Sequence, residues 1–320
     1  MTQPNRRALM KAAVALSALA ALSEAGRAAE TGETKLVILG TLGGPSVGRP
    51  RYMTSSVILH GGAAHVVDCG YGVTEQLVRA GVKLQDIRDV FITHHHPDHN
   101  IEIGTLIYFS WYAGAPGLNL YGPPPLQQIT GDYLKALKPD VDIWLDDIGH
   151  APMGPVNVHE VSAGGPVMTS GDMRVTAALV NHPPVVPALG YRFDFPDRSI
   201  VFSGDTTPVQ SLVQLAKGAD VLVHESMYMP AMKAELDAVA NRNTGGSAIA
   251  GDRDKLWDHL MRSHSPAEEV GRIAAEASVK TLVLYHQVPI VGVTDAQWTE
   301  AVRKGGYKGE VIVGKDLMVI

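Results

Sequence analysis

Thr93-His94-His95-His96-Pro97-Asp98-His99 decides the reading of this chain. It stands directly behind the apolar run Asp89-Val90-Phe91-Ile92, which has the length and residue types of a buried strand. Imidazole nitrogens suit zinc and its neighbours, and a carboxylate adds an anionic oxygen donor. Alternate residues of an extended segment project the same way. His94 and His96 can therefore share one cation while His95 points away. Asp98 and His99, beyond the turn expected at Pro97, can address a second. A histidine tract without order is usually a solvated, incidental metal binder. Donors ordered behind a hydrophobic strand argue for a built site.

On either side of this stretch, short apolar runs alternate with helix-like segments. Strands are expected at Lys35 to Leu39, Ser55 to Leu59, His65 to Asp68, Leu118 to Tyr121 and Val156 to Val161. Further strands are expected at Arg174 to Val180, Leu189 to Phe195, Ser199 to Ser203, Val221 to His224 and Thr281 to Tyr285. Helices are expected at Thr74 to Ala80, Pro125 to Leu137, Val209 to Ala216, Pro266 to Ala277 and Ala296 to Lys304. The end, Glu310 to Ile320, reads as a hairpin, and Asn241 to Asp252 as a mobile loop between helices. Paired strands with intervening helices favour two sheets with helices outside, in one domain.

The opening residues read as an address. Asn5-Arg6-Arg7-Ala8-Leu9-Met10-Lys11 is basic, and the apolar stretch Ala12 to Leu22 is too short to span a bilayer. Small residues Gly26 and Ala28 offer a cleavage site, so residues 1–29 are expected to be a signal peptide and 30–320 one domain. The paired arginines resemble a twin-arginine signal, which implies a periplasmic or secreted protein. No later stretch is long and apolar enough to predict a membrane span. The single cysteine, Cys69, excludes an intrachain disulfide and reads as a buried thiol. A net charge of −6 supplies no global basic field, so a nucleic-acid partner is not expected.

His94-x-His96-x-Asp98-His99 resembles the signature of the metallo-β-lactamase superfamily, and the other parts follow in order. Asn181-His182-Pro183 follows one strand, Ser203-Gly204-Asp205-Thr206 ends another, and Tyr285-His286 ends a third. The resemblance covers the chain from the glycine-rich Gly40-Thr41-Leu42-Gly43-Gly44-Pro45 onward. It implies an α/β fold, the four-layer αββα sandwich, with a site at one edge. It also implies two divalent metal ions, Zn2+ in the first place, with Mn2+ or Fe as alternatives. One ion would take His94, His96 and His182, the other Asp98, His99 and His286, with Asp205 bridging.

Within the superfamily the likeness is to the ribonuclease Z group and its phosphodiesterase and arylsulfatase relatives. Val223-His224-Glu225-Ser226 and Ser263-His264-Ser265 resemble that group's motifs. The resemblance makes His264 a candidate general acid or oxyanion stabiliser, Glu225 its partner, and Asp98 a member of the catalytic set. His224 is open between supporting the site and filling the core. The short connection Pro196-Asp197-Arg198 leaves no room for the group's tRNA-gripping arm, which argues against tRNA processing.

The expected activity is hydrolysis of a small-molecule ester, a phosphodiester or sulfate ester, by a metal-bridging hydroxide. A lactonase, carboxylic-ester or β-lactam hydrolase is the alternative, and a non-catalytic periplasmic metal-binding module is the rival from another class. A homodimer is compatible with this reading. The run Tyr108-Phe109-Ser110-Trp111-Tyr112 could line a pocket or pack as a helix face, and Met227, Met229 and Met232 could line an adaptable apolar wall but read better as core. His60, His65, His150, His159 and His259 have no ligand-like context and read as structural or surface residues.

Overall fold

The computed structural model describes residues 32–232, 253–289 and 292–320. The export segment and the loop expected at Asn241 to Asp252 lie outside the described residues.

The first half lays down β1 (Lys35–Gly40), β2 (Ser55–His60), β3 (Ala63–Val67), α1 (Val73–Arg79) and β4 (Ile87–Phe91). It continues with α2 (Pro97–Asn100), α3 (Ile103–Tyr112), β5 (Leu118–Gly122), α4 (Leu126–Ile143) and β6 (Val156–Glu160). The second half holds β7 (Gly165–Ser170), β8 (Met173–His182), β9 (Val185–Asp194), β10 (Ser199–Phe202), α5 (Gln210–Ala216) and β11 (Val221–Met227). Then come α6 (Arg253–Ser263), α7 (Ala267–Glu276), β12 (Thr281–Val288), α8 (Asp295–Lys304), β13 (Glu310–Val313) and β14 (Met318–Val319).

Two seven-stranded sheets result, ordered β14-β1-β2-β3-β4-β5-β6 and β13-β12-β11-β10-β9-β8-β7. Each is antiparallel on one side and parallel on the other, the change falling at β3–β4 and at β10–β11. Parallel strands need covered crossovers, and helices supply them on the outer faces. Strand alternation sorts the apolar residues into three layers of core. Phe91, Tyr191, Phe193, Phe202 and Tyr285 fill the space between the sheets, where Phe91 meets Phe193 edge-on at 4.9 Å. Val66, Val90, Ile92 and Leu120 pack under the helices of the first sheet, and Leu222, Leu282 and Leu284 under those of the second. The αββα order follows from that sorting.

The C-terminal residues do not form a hairpin. β13 pairs with β12 in one sheet and β14 with β1 in the other, so 314–317 bridges the sandwich. The cause is Asp316, whose carboxylate accepts from Thr41 N (3.0 Å), Thr41 Oγ1 (2.6 Å) and Tyr52 N (2.7 Å) and ties the segment to the first sheet. Helix α4 also runs past its expected stop, through Pro139 to Ile143. It is mostly exposed there, so solvent can take the carbonyl that proline leaves free. No helix among the described residues is long and apolar enough to cross a membrane.

Candidate metal centre

Strand ends bring the donors together. His94, His96, Asp98 and His99 lie on the loop and short helix after β4, His182 ends β8, Asp205 follows β10, and His286 lies near the end of β12. Two local devices aim them. Gly204 adopts φ 58°, and a Cβ there would stand 2.5 Å from the Leu189 carbonyl oxygen, so the turn delivering Asp205 needs glycine. His286 sits at a break in the β11–β12 register with φ 41°. Simple alternation after the inward Tyr285 would send it under the helices; the bulge turns it back to the site.

The donors fall into two groups. His94 Nε2 and His182 Nε2 each lie 3.1 Å from His96 Nδ1, and 3.8 and 3.9 Å from Asp205 Oδ2. In the second group His99 Nε2 lies 3.6 Å from Asp98 Oδ2 and 3.3 Å from Asp205 Oδ2. His286 Nε2 lies 3.3 and 3.1 Å from the same two oxygens. Asp205 Oδ2 belongs to both. A tetrahedral cation with bonds of 2.0–2.2 Å separates its donors by about 3.3–3.6 Å, the middle of these distances.

The surrounding bonds set the tautomers. His182 Nδ1 donates to the Ser263 carbonyl (2.8 Å) and His99 Nδ1 to Asp68 Oδ2 (2.8 Å), so each turns its Nε2 inward. Thr93 Oγ1 donates to Asp68 and thus accepts from His94 Nδ1 (3.1 Å), which leaves His94 in the same state. His99 Nε2 and Asp205 Oδ1 are buried with no hydrogen-bond partner among the described residues. Buried orphans of this kind call for a ligand. Burial holds His94 well below its usual pKa and His182 at about 4, so both favour the neutral, ligating form. For Asp98 and Asp205 burial works upward, but His99 and His286 outweigh it and keep both carboxyls ionised. The residues present fit a pair of divalent cations.

His264 stands over the junction. Its Nδ1 donates to Glu225 Oε2 (3.0 Å) and lies 3.9 Å from Asp205 Oδ2. Glu225 is itself fixed by the Thr206 N–H, 2.7 Å from its Oε1. Burial opposes charge on His264, yet Glu225 prevails and its pKa stands above the ordinary value. His95 points away, onto the Pro123 carbonyl (2.7 Å). Val221 and Val223 face the sheet interface and Leu222 the helices. His224 therefore falls on the helix side, fully buried, with Nδ1 on the Glu225 carbonyl and away from the metal donors.

A cleft of about 290 Å³ opens above the donors. One wall is the glycine-rich loop with Leu42, Gly44 and Pro45; the other is α6 with Leu256, His259 and Leu260. Gly44 N–H donates to Asp98 Oδ2 (2.8 Å), so that loop also orients a donor. One open alternative closes and two expectations change. Tyr108 to Tyr112 is a helix face away from the cleft, with Tyr108 on Asp140 and Trp111 on the Ala151 carbonyl. Met232 lines the cleft rather than only packing the core. His259 is neither structural nor surface but part of the cleft wall. Asp68 was missed altogether.

This arrangement defines a metal-dependent hydrolase of the metallo-β-lactamase fold. The chain belongs to the family described as beta-lactamase superfamily domain, whose model matches residues 65–287. It is 32% identical over 290 residues to ribonuclease Z of Mycobacterium bovis (strain BCG / Pasteur 1173P2), covering 88% of this chain and 96% of that one. Ribonuclease Z of Mycobacterium marinum is likewise 32% identical, over 291 residues with the same coverage. Among solved structures it resembles the metallo-β-lactamase fold protein YhfI from Bacillus subtilis (TM-score 0.64, 22% identity, 90% of this chain and 98% of that one). Human tRNase Z, short form, matches with TM-score 0.61 and 21% identity over 89% of this chain and 98% of that one.

These relatives overturn the expectation that nucleic acid is no partner. The alignment spans 96% of the Mycobacterium bovis ribonuclease Z. The short Pro196-Asp197-Arg198 connection therefore does not set this chain apart from enzymes of that name.

Proposed function

We propose that the chain is a phosphodiesterase working with two divalent cations, held by His94, His96 and His182 on one side and Asp98, His99 and His286 on the other, with Asp205 between. The observation that carries the reading is the His264–Glu225 pair, 3.0 Å apart and set over Asp205, where a transferred group would lie. The identity to ribonuclease Z enzymes supports it. Bound cations supply Lewis acidity and an activated water at neutral pH. Asp205 and Asp98 hold negative charge at the floor, while Glu225 keeps the His264 Nδ1 proton in place and leaves Nε2 toward the substrate. From there His264 can neutralise a phosphoryl oxygen or deliver a proton to a departing alkoxide. A phosphodiester is the substrate class; a small diester and the end of a nucleic-acid strand both qualify. Zinc is the first choice of metal, since three imidazoles and shared carboxylates suit it. We also propose export to the periplasm, on the basic and apolar opening of residues 5–22.

The test is an activity screen of zinc- and manganese-loaded protein on bis-aryl phosphate, aryl sulfate, lactone and β-lactam probes. The diester should be cleaved fastest, and His264→Ala should lower that rate about a hundredfold while keeping the metals. Faster turnover of the lactone or β-lactam than of the diester would sink the proposal.

A further inference from the structure

Helix α6 carries a histidine that the reaction as described leaves unused. Leu256, His259, Leu260 and Ser263 recur at helical spacing and form one stripe. The first three line the cleft, while Asp254, Lys255, Asp258, Met261 and Arg262 on the other faces are exposed. The stripe is anchored to the site at its lower end. The Ser263 carbonyl accepts from His182 Nδ1, and its hydroxyl donates to the Pro183 carbonyl, which leaves its oxygen to meet His259 Nδ1 at 3.5 Å. His259 is half-buried, with its ring centre 6.5 Å from His96, 6.4 Å from His182 and 6.2 Å from His264. It is thus beside the donors without being one of them, and absent from every cluster among the described residues able to hold a metal. Its wall mates are apolar, as are Leu42 and Pro45 across the cleft and Met232 at its side.

We infer that His259 is a specificity-determining residue, its ring forming with Leu256 and Leu260 a flat wall on which a ring in the retained ester arm of the substrate stacks. The inference rests on the phosphodiesterase reading. In an in-line displacement the oxygen attacks from the floor, where the donors converge, and the departing arm leaves through the mouth. The retained arm must then lie sideways, along a wall. The wall beside His96 and His182 is α6. A ring arm there would meet the His259 imidazole and two leucines, which a methyl arm is too short to reach. Offset stacking of aromatic rings adds a modest, geometry-dependent gain beyond area burial. The preferred substrates are phosphodiesters whose retained arm bears an aryl group or a nucleobase.

The experiment compares three diesters that release the same p-nitrophenolate and differ only in the retained arm: methyl, p-nitrophenyl and thymidine. Metal-loaded wild type, His259→Ala and His259→Phe are assayed for kcat/KM. The alanine variant should lose about three- to tenfold on at least one ring-bearing diester, stay within about twofold on the methyl diester, and keep wild-type metal content. The phenylalanine variant should restore the preference for rings. Whichever ring arm shows the larger dependence identifies the source, aryl ester or nucleotide. Equal loss on ring and methyl arms, no loss at all, loss of metal, or a phenylalanine variant as poor as alanine would each overturn the inference. Wild type that turns over none of the diesters but cleaves p-nitrophenyl carboxylates sinks the phosphodiesterase reading alone. p-Nitrophenyl benzoate against acetate then makes the same ring-to-methyl comparison.

Discussion

Replacing Asp68 by asparagine tests how much the site depends on a residue that touches no cation in this account. Asp68 is fully buried, with φ 61°, just past the end of β3. Its carboxylate accepts from Thr93 N (2.8 Å) and Thr93 Oγ1 (3.1 and 3.0 Å), and from His99 Nδ1 (2.8 Å). Asparagine keeps one acceptor for Thr93 but turns an amide N–H toward the His99 N–H. The imidazole must then lose that bond or swap tautomer and withdraw Nε2 from the metal. A buried charge-assisted hydrogen bond is worth about 1.5–3 kcal/mol, a factor of roughly 10–100 in affinity for the cation bound by Asp98, His99 and His286. Asp68→Ala is the worse probe. It orphans the Thr93 backbone and hydroxyl donors as well as His99, at about 1–3 kcal/mol each, a large share of a typical domain's stability. The assay is competition with a chelating dye of known zinc affinity, alongside thermal unfolding of the metal-free protein. The expected result is one cation held normally and the second weakened by that factor. An Asp68→Asn protein with two cations at wild-type affinity would refute the reasoning.

Three other outcomes follow from the same geometry. In Gly43→Ala the new Cβ would stand 2.6 Å from Val288 Cγ2 and 2.8 Å from His286 Nδ1, pushing on a donor ring; kcat/KM should fall on the order of tenfold to a hundredfold with the fold retained by circular dichroism. In Gly70→Ala the Cβ would stand 2.3 Å from the Asp98 carbonyl oxygen, which is backbone and cannot step aside; denaturant unfolding should show a loss of about 1–3 kcal/mol. Because imidazole and carboxylate donors must shed protons to bind, metal content after dialysis should drop as pH falls from about 8 to about 5, and chelation should lower Tm, with zinc restoring it.

The donors were legible because each is a short word at the end of an apolar run: His94 to His99 behind β4, Asn181-His182 closing β8, Ser203-Gly204-Asp205 after β10. The strands were legible for the same reason, since buried β1, β10 and the first part of β12 are nearly unbroken apolar runs and β4 ends in one. Strand β7, Gly165–Ser170, was not, because as an edge strand it is half-exposed and carries no apolar alternation. The supports were hidden for another reason. Asp68, Asp316 and the Ser263 carbonyl act across long separations, and no spacing rule links residue 68 to residue 99 or residue 316 to residue 41. His259 was within reach: it shares a helical stripe with Leu256 and Leu260, and that stripe runs through Ser263 into the His264 motif. Judging the histidine by its immediate neighbours, rather than by helical phase, hid it. Nucleic acid was dismissed on the short Pro196-Asp197-Arg198 connection and on whole-chain charge, a bulk property blind to what one cleft accepts.

The central claim is that two cations share Asp205. Its most direct test is metal content by plasma emission spectrometry on zinc-reconstituted, gel-filtered protein, wild type against Asp205→Ala. Wild type should hold two zinc ions per chain, and the variant one or fewer, with activity lost in step. A wild type saturating at a single ion, or a variant that still keeps two, would contradict the account.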